Sequence, residues 1–175
     1  GIKSLDGLFT IAAGQLSVVT GLPSSGKSEF VDQIMINLAK NESWKFAVAS
    51  FENPPHYHIS KLAEKLTGKS FHAGSANRMD QQEMQDAYGF INDHFVFLDN
   101  KDGVVSTIES IIQRTKASIL RMGIRGLVID PYNFIEQGDG EEHLSISAML
   151  TKITTFAKAH DLHVWLDHDK AAPVG

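Results

Sequence analysis

Apolar residues along this chain fall into two alternating patterns: short, largely apolar runs, and longer stripes that recur every three to four positions. The runs lie at residues 15–20, 46–51, 95–98, 127–130 and 162–166. Runs of this length, bounded by turn residues, predict strands buried on both faces, as in a parallel sheet. Between them, Phe30, Val31, Ile34, Met35 and Leu38 predict a helix to about residue 40. Pro54-Pro55 is expected to block helix, with a short helix at residues 57–66 ending at Gly68. Asp80 and Glu83 form a capping-box-like start, and Met84, Ala87, Tyr88 and Ile91 carry that helix to His94. Ser106 is the expected cap of a long helix bearing Ile108, Ile111, Ile112, Ala117, Ile119 and Leu120, closed by Gly123. A last helix is expected at residues 144–160. Strands alternating with helices predict an α/β fold, with a parallel sheet covered by helices on both faces. Residues 166–175 carry no strand or helix signal and are expected to form an irregular tail, as though the sheet were truncated after its fifth strand.

A length of 175 residues suits one domain, 1–175, with a single well-packed core. No cysteine is present, which excludes a disulfide framework and a thiolate metal site. His56 and His58 are close in sequence but lack obvious further ligands, and a solvated loop is their expected setting. No apolar stretch approaches the ~20 residues of a membrane span and no signal peptide opens the chain, so a cytoplasmic location without membrane contact is expected. A formal net charge of −5 argues against the domain as a whole being a polyanion-binding surface. No clear cluster of basic and aromatic residues stands out; Tyr132 and Phe134 come nearest.

The segment GLPSSGKS, comprising Gly21, Leu22, Pro23, Ser24, Ser25, Gly26, Lys27 and Ser28, changes the picture most. It fits GxxxxGK(S/T) and lies between the first strand and the first helix. Backbone N–H groups and the helix dipole converge there on an anion. Gly21 and Gly26 allow tight turning and close approach of the backbone to phosphate. Lys27 is placed to reach the β- and γ-phosphates of a nucleotide, and the Ser28 hydroxyl to ligate Mg²⁺. Asp130 ends the fourth apolar run, at the same sheet edge, where a carboxylate would hold Mg²⁺ together with Ser28. A solvated aspartate starting the Pro131 turn is the plainer alternative. Glu52 follows the second run and suits a water-positioning or general-base role in NTP hydrolysis, although its position alone fits an ordinary loop glutamate equally well.

The run GIKSLDGLFTIAAGQLSVVTGLPSSGKSEFVDQIMINLA resembles the start of the ATPase domain in DnaB/Twinkle-type replicative helicases. FAVASFENPPHYHISKLAEKLTGKSF resembles the second strand and following helix of Twinkle-like members, and VIDPYNFIEQ their Walker B strand and the loop after it. The resemblance covers residues 1 to about 166. It implies a RecA-like P-loop NTPase core that binds ATP and Mg²⁺ between neighbouring subunits of a homo-oligomeric ring, usually a hexamer, moving on single-stranded DNA. It also implies that Glu52 is catalytic alongside Lys27. A histidine after the fifth strand is a sensor in the family, which makes His168 a candidate, although the spacing here is shortened. Asn133 is a further candidate facing the γ-phosphate or the DNA. An arginine supplied in trans by the neighbouring subunit lies, in the family, downstream of the fifth strand, so nucleotide binding with weak hydrolysis is expected of this chain alone. The alternatives are a recombinase-like DNA-dependent ATPase that does not unwind, a small-molecule kinase (for which no arginine-rich lid is found), and a non-enzymatic module that oligomerises on the same fold.

Overall fold

The computed structural model describes residues 10–22, 24–50, 54–98, 107–130 and 146–169. Within them the chain runs β1 (Leu16–Gly21), α1 (Lys27–Glu42), β2 (Phe46–Ser50), α2 (Pro55–Thr67), α3 (Gln81–His94), β3 (Phe95–Phe97), α4 (Ile108–Met122), β4 (Gly126–Asp130), α5 (Ile146–Ala159) and β5 (His163–Asp169). The strands form one sheet in the order β1-β5-β4-β2-β3, and every pairing is parallel. Parallel neighbours require crossover connections, and the helices supply them. The expected α/β architecture is therefore present.

Side chains alternate cleanly across the sheet, as a strand period of two requires. On one face Phe46 and Val48 of β2, Val128 of β4 and Trp165 of β5 pack with Val31, Met35, Leu62, Ala63 and Ile91 from α1, α2 and α3. On the other, Ala47, Ala49, Leu127, Ile129, Val164 and Leu166 pack with Ile111, Ile153 and Phe156 from α4 and α5. At the amino end of the first face Gly126 makes room for an aromatic ring. A Cβ there would lie 2.4 Å from Cδ1 of Phe46, whose ring stacks on Phe95 at 5.5 Å. Beside it the His163 ring is fully buried, with Nδ1 2.7 Å from the Ala12 carbonyl and Nε2 2.9 Å from the Ser17 hydroxyl. Burial lowers its pKa. The neutral ring therefore donates from Nδ1 to the carbonyl and accepts at Nε2, pinning β5 to the chain that leads into β1.

Four details correct the sequence-based expectation. Residues 166–169, assigned to the irregular tail, belong to β5; the segment Asp167-His168-Asp169 carries no apolar signal and is held by backbone pairing to Val19, Thr20 and Gly21. Residues 170–175 lie outside the described residues. Pro55 opens α2 instead of blocking it, because the first helical position has no intrahelical use for an N–H. The cap of α4 is Thr107, not Ser106: its hydroxyl accepts from the Ser110 N–H at 3.2 Å. Phe30 and Leu120, read as part of apolar stripes, face solvent. The capping box of α3 is formed as expected, with Asp80 accepting from Glu83 N–H and Glu83 from Asp80 N–H.

Candidate functional site

The site is built where β1 turns into α1. Gly26 sits at the N-cap with φ 88°, a left-handed conformation that favours glycine, and no side chain caps the helix start. The first-turn N–H groups are thus left to an anion. A Cβ on Gly21 would meet the Ser25 hydroxyl at 2.9 Å and Lys27 Cδ at 3.3 Å, so a larger residue there would displace the Ser25 and Lys27 side chains. Leu22 accepts from the Ser25 N–H at 3.2 Å, and Ser24 takes a left-handed φ of 59°. Lys27 folds back along this loop and donates to the Leu22 carbonyl at 2.9 Å.

Facing the loop, a polar row caps the core face of the sheet at its carboxyl edge. Ser50 pairs with Asp130, and Ile129 with Leu166, so the next position beside Asp130 is Asp167. All three residues leave the same sheet face as Val48, Val128 and Trp165, two positions below them. Asp130 and Asp167 are both buried. Asp167 Oδ2 accepts from the Ser28 hydroxyl at 3.2 Å, and its Oδ1 lies 3.8 Å from Lys27 Nζ. Burial is the main cause that pushes the Asp130 carboxyl up to about 6; the Ser28 hydroxyl opposes that rise, and the neighbouring Asp167 charge adds to it.

A second buried polar contact ties α1 to α2. Asp32 lies four residues after Ser28, on the same side of α1. Its Oδ1 is 2.7 Å from Nε2 of His58, and both side chains are buried. The loop setting expected for His58 is therefore wrong: it belongs to α2, packed edge-on against Phe97. Nearer the loop, Glu29 in the first turn of α1 is salt-bridged to Lys61 at 2.9 Å and to Lys65.

The structure brings Gly21, Leu22, Ser24, Ser25, Gly26, Lys27, Ser28 and Asp130 together at one sheet edge. Pro23, Glu52 and Asn133 lie outside the described residues. His168 follows Asp167 on β5, so strand alternation sends its side chain from the opposite sheet face. Sequence reasoning missed Asp167 and Ser50. Neither sits in a motif, and only strand register aligns them with Asp130.

The Ser28 hydroxyl, the Asp130 and Asp167 carboxylates and the Ser50 hydroxyl are hard oxygen donors. Ser50 Oγ is buried with no hydrogen-bond partner among the described residues. This chemistry fits Mg²⁺, which typically takes one or two carboxylates and completes its shell with water and phosphate. Among the described residues no group of three or more His, Cys, Asp or Glu side chains forms a metal cage by itself.

The DnaB-like helicase C-terminal domain model matches residues 1–166. The chain is 40% identical over 172 residues to the Twinkle homolog protein, chloroplastic/mitochondrial, of Arabidopsis thaliana; the match takes in 94% of this chain and 24% of that protein. The chain therefore spans about a quarter of that relative's length. Among solved structures, one ATPase domain and one DnaB-like replicative helicase each superimpose with a TM-score of 0.71 at 17% identity. These cover 92% and 89% of this chain, and 59% and 40% of theirs. A KaiC-like protein of Pyrococcus horikoshii follows at 0.63 and 17% identity, covering 90% of this chain and 64% of its own. At such identity the structural likeness speaks for the fold, which is RecA-like. Among the described residues no helix is long and apolar enough to cross a membrane.

Proposed function

Because the chain belongs to the DnaB-like helicase C-terminal domain family, we propose that it is the Mg-ATP-hydrolysing motor of a replicative helicase. The observation that carries this reading is the meeting of Lys27 and Ser28 with buried carboxylates at the carboxyl edge of the sheet. The open N–H groups of the α1 first turn receive the phosphates, and Lys27 exchanges the Leu22 carbonyl for phosphate oxygens. The Ser28 hydroxyl and Asp130 would hold Mg²⁺. That ion, when bound, supplies positive charge against the β- and γ-phosphate oxygens. Glu52, following β2 in sequence, orients the attacking water and accepts its proton.

Single-stranded DNA as substrate, a homo-oligomeric ring with six subunits and an arginine given in trans by the neighbour belong to the same proposal. Their support is family membership. The cytoplasmic placement expected from sequence gains nothing from that relative, whose name places it in chloroplasts and mitochondria.

The test is ATP hydrolysis and duplex unwinding by the protein, comparing wild type with Glu52→Gln. Hydrolysis and unwinding should both collapse in the variant while Mg-ATP binding survives. Full hydrolysis by Glu52→Gln overturns the assignment of that residue. Hydrolysis on DNA without any strand separation overturns the helicase reading in favour of a recombinase-like ATPase.

A further inference from the structure

Beyond adding an oxygen donor to the row, Asp167 makes side-chain contacts to both groups the nucleotide needs. Its Oδ2 accepts from the Ser28 hydroxyl at 3.2 Å and its Oδ1 lies 3.8 Å from Lys27 Nζ. The carboxylate is 2% exposed and sits on β5 between the loop strand and Asp130. An internal anion thus already accepts from the hydroxyl meant for the metal and faces the cation meant for phosphate.

We infer that Asp167 makes nucleotide binding conditional on a divalent cation. Without the cation, its negative charge binds the Ser28 hydroxyl, partly offsets the Lys27 charge and repels the incoming triphosphate. A divalent cation held by Ser28 and the carboxylates would supply positive charge against the phosphates and would offset that repulsion. Low solvent access at the site strengthens both effects relative to water. Asp167 is a positioning residue in this account. Its expected mark is on the coupling between metal and nucleotide, not on nucleotide affinity in general.

This inference rests on the nucleotide-binding reading, and one titration separates the two. The full chain is titrated calorimetrically with ATP in EDTA and with ATP in excess Mg²⁺, as wild type, Asp167→Asn and Asp167→Glu. Wild type should bind Mg-ATP at least about a hundredfold more tightly than metal-free ATP. Asp167→Asn should tighten metal-free ATP by about tenfold or more and shrink that ratio. Asp167→Glu, which keeps the charge, should retain the wild-type ratio. Metal-free affinity that is unchanged or weaker in Asp167→Asn overturns the inference while leaving the site reading intact. A wild type that binds no Mg-ATP overturns both. If circular dichroism shows Asp167→Asn unfolded, Asp167→Ser takes its place under the same criteria.

Discussion

Replacing His58 by leucine should leave the buried Asp32 carboxylate without its hydrogen-bond partner. The contact is short, 2.7 Å between Nε2 and Oδ1, and the two side chains are only 5% and 4% exposed, so water cannot replace the lost imidazole without rearrangement. Asp32 also raises the pKa of nearby Asp130 by its charge, which makes an uncompensated carboxylate there more costly. Removing one partner of a buried pair costs about 3–5 kcal/mol, and these burial figures put the site at the upper end of that range. Asp32→Leu should cost less, about 1–3 kcal/mol, because it strands a single ring nitrogen instead of a carboxylate. The double variant His58→Leu with Asp32→Leu strands neither group, and it should be more stable than His58→Leu alone. Urea unfolding followed by circular dichroism and by the fluorescence of Trp44 and Trp165 measures all four corners of the cycle. For a chain of this size, 3–5 kcal/mol corresponds to roughly 6–20 °C in melting temperature. Single variants that each cost under about 1 kcal/mol and add without coupling would show that the pair contributes nothing beyond its separate side chains. The pair would then be a bystander in the joint between the loop helix and α2.

Two further predictions concern strand β4, which delivers Asp130. Gly126→Ala places a Cβ 2.4 and 2.5 Å from Phe46 ring atoms and 3.1 Å from Trp165, so overpacking of about 1–3 kcal/mol should outweigh the gain in chain stiffness. Phe46→Leu in that background should recover part of the loss, and a Gly126→Ala variant as stable as wild type in urea would contradict the packing described here. The second follows from the raised Asp130 carboxyl. Its folded value, about 6, lies above the ordinary 3.8, so its contribution to stability is full below the ordinary value and is lost as pH rises through about 6. The forfeited stabilisation is up to roughly 3 kcal/mol. Metal-free Asp130→Asn should therefore be more stable than wild type at pH 8 by that order, with the gap closing near pH 4. A gap independent of pH in urea titrations would remove the burial argument for this residue.

The parts of this fold legible in sequence are those whose physics is local. Buried parallel strands such as Phe46–Ser50 write unbroken apolar runs, and the capping box of Asp80 and Glu83 is a four-residue device. The loop at residues 21–28 is legible because its glycines answer to backbone conformation and its lysine and serine to phosphate chemistry. What escaped notice depends on register. Asp167 looks like part of a polar tail until β5 is laid beside β1 and β4, when it falls level with Val19 and next to Asp130. Ser50 becomes part of the site only through its pairing with Asp130. His58 follows two prolines, which suggest a loop; that Pro55 occupies the first position of a helix, and that Asp32 waits one turn beyond Ser28, are facts of tertiary placement. The exposed Leu120 shows the converse, since a helical stripe marks an apolar side without saying how far the neighbouring layer reaches.

On the proposed function, the loop between β1 and α1 binds the phosphates of Mg-ATP through Lys27. Calorimetric titration of Mg-ATP into wild type and Lys27→Ala tests it most directly. One saturable site per chain is expected for wild type, weakened by about a hundredfold in the variant, whose fold should be unchanged by circular dichroism. Equal affinity in the two proteins, or no binding by wild type, would contradict it.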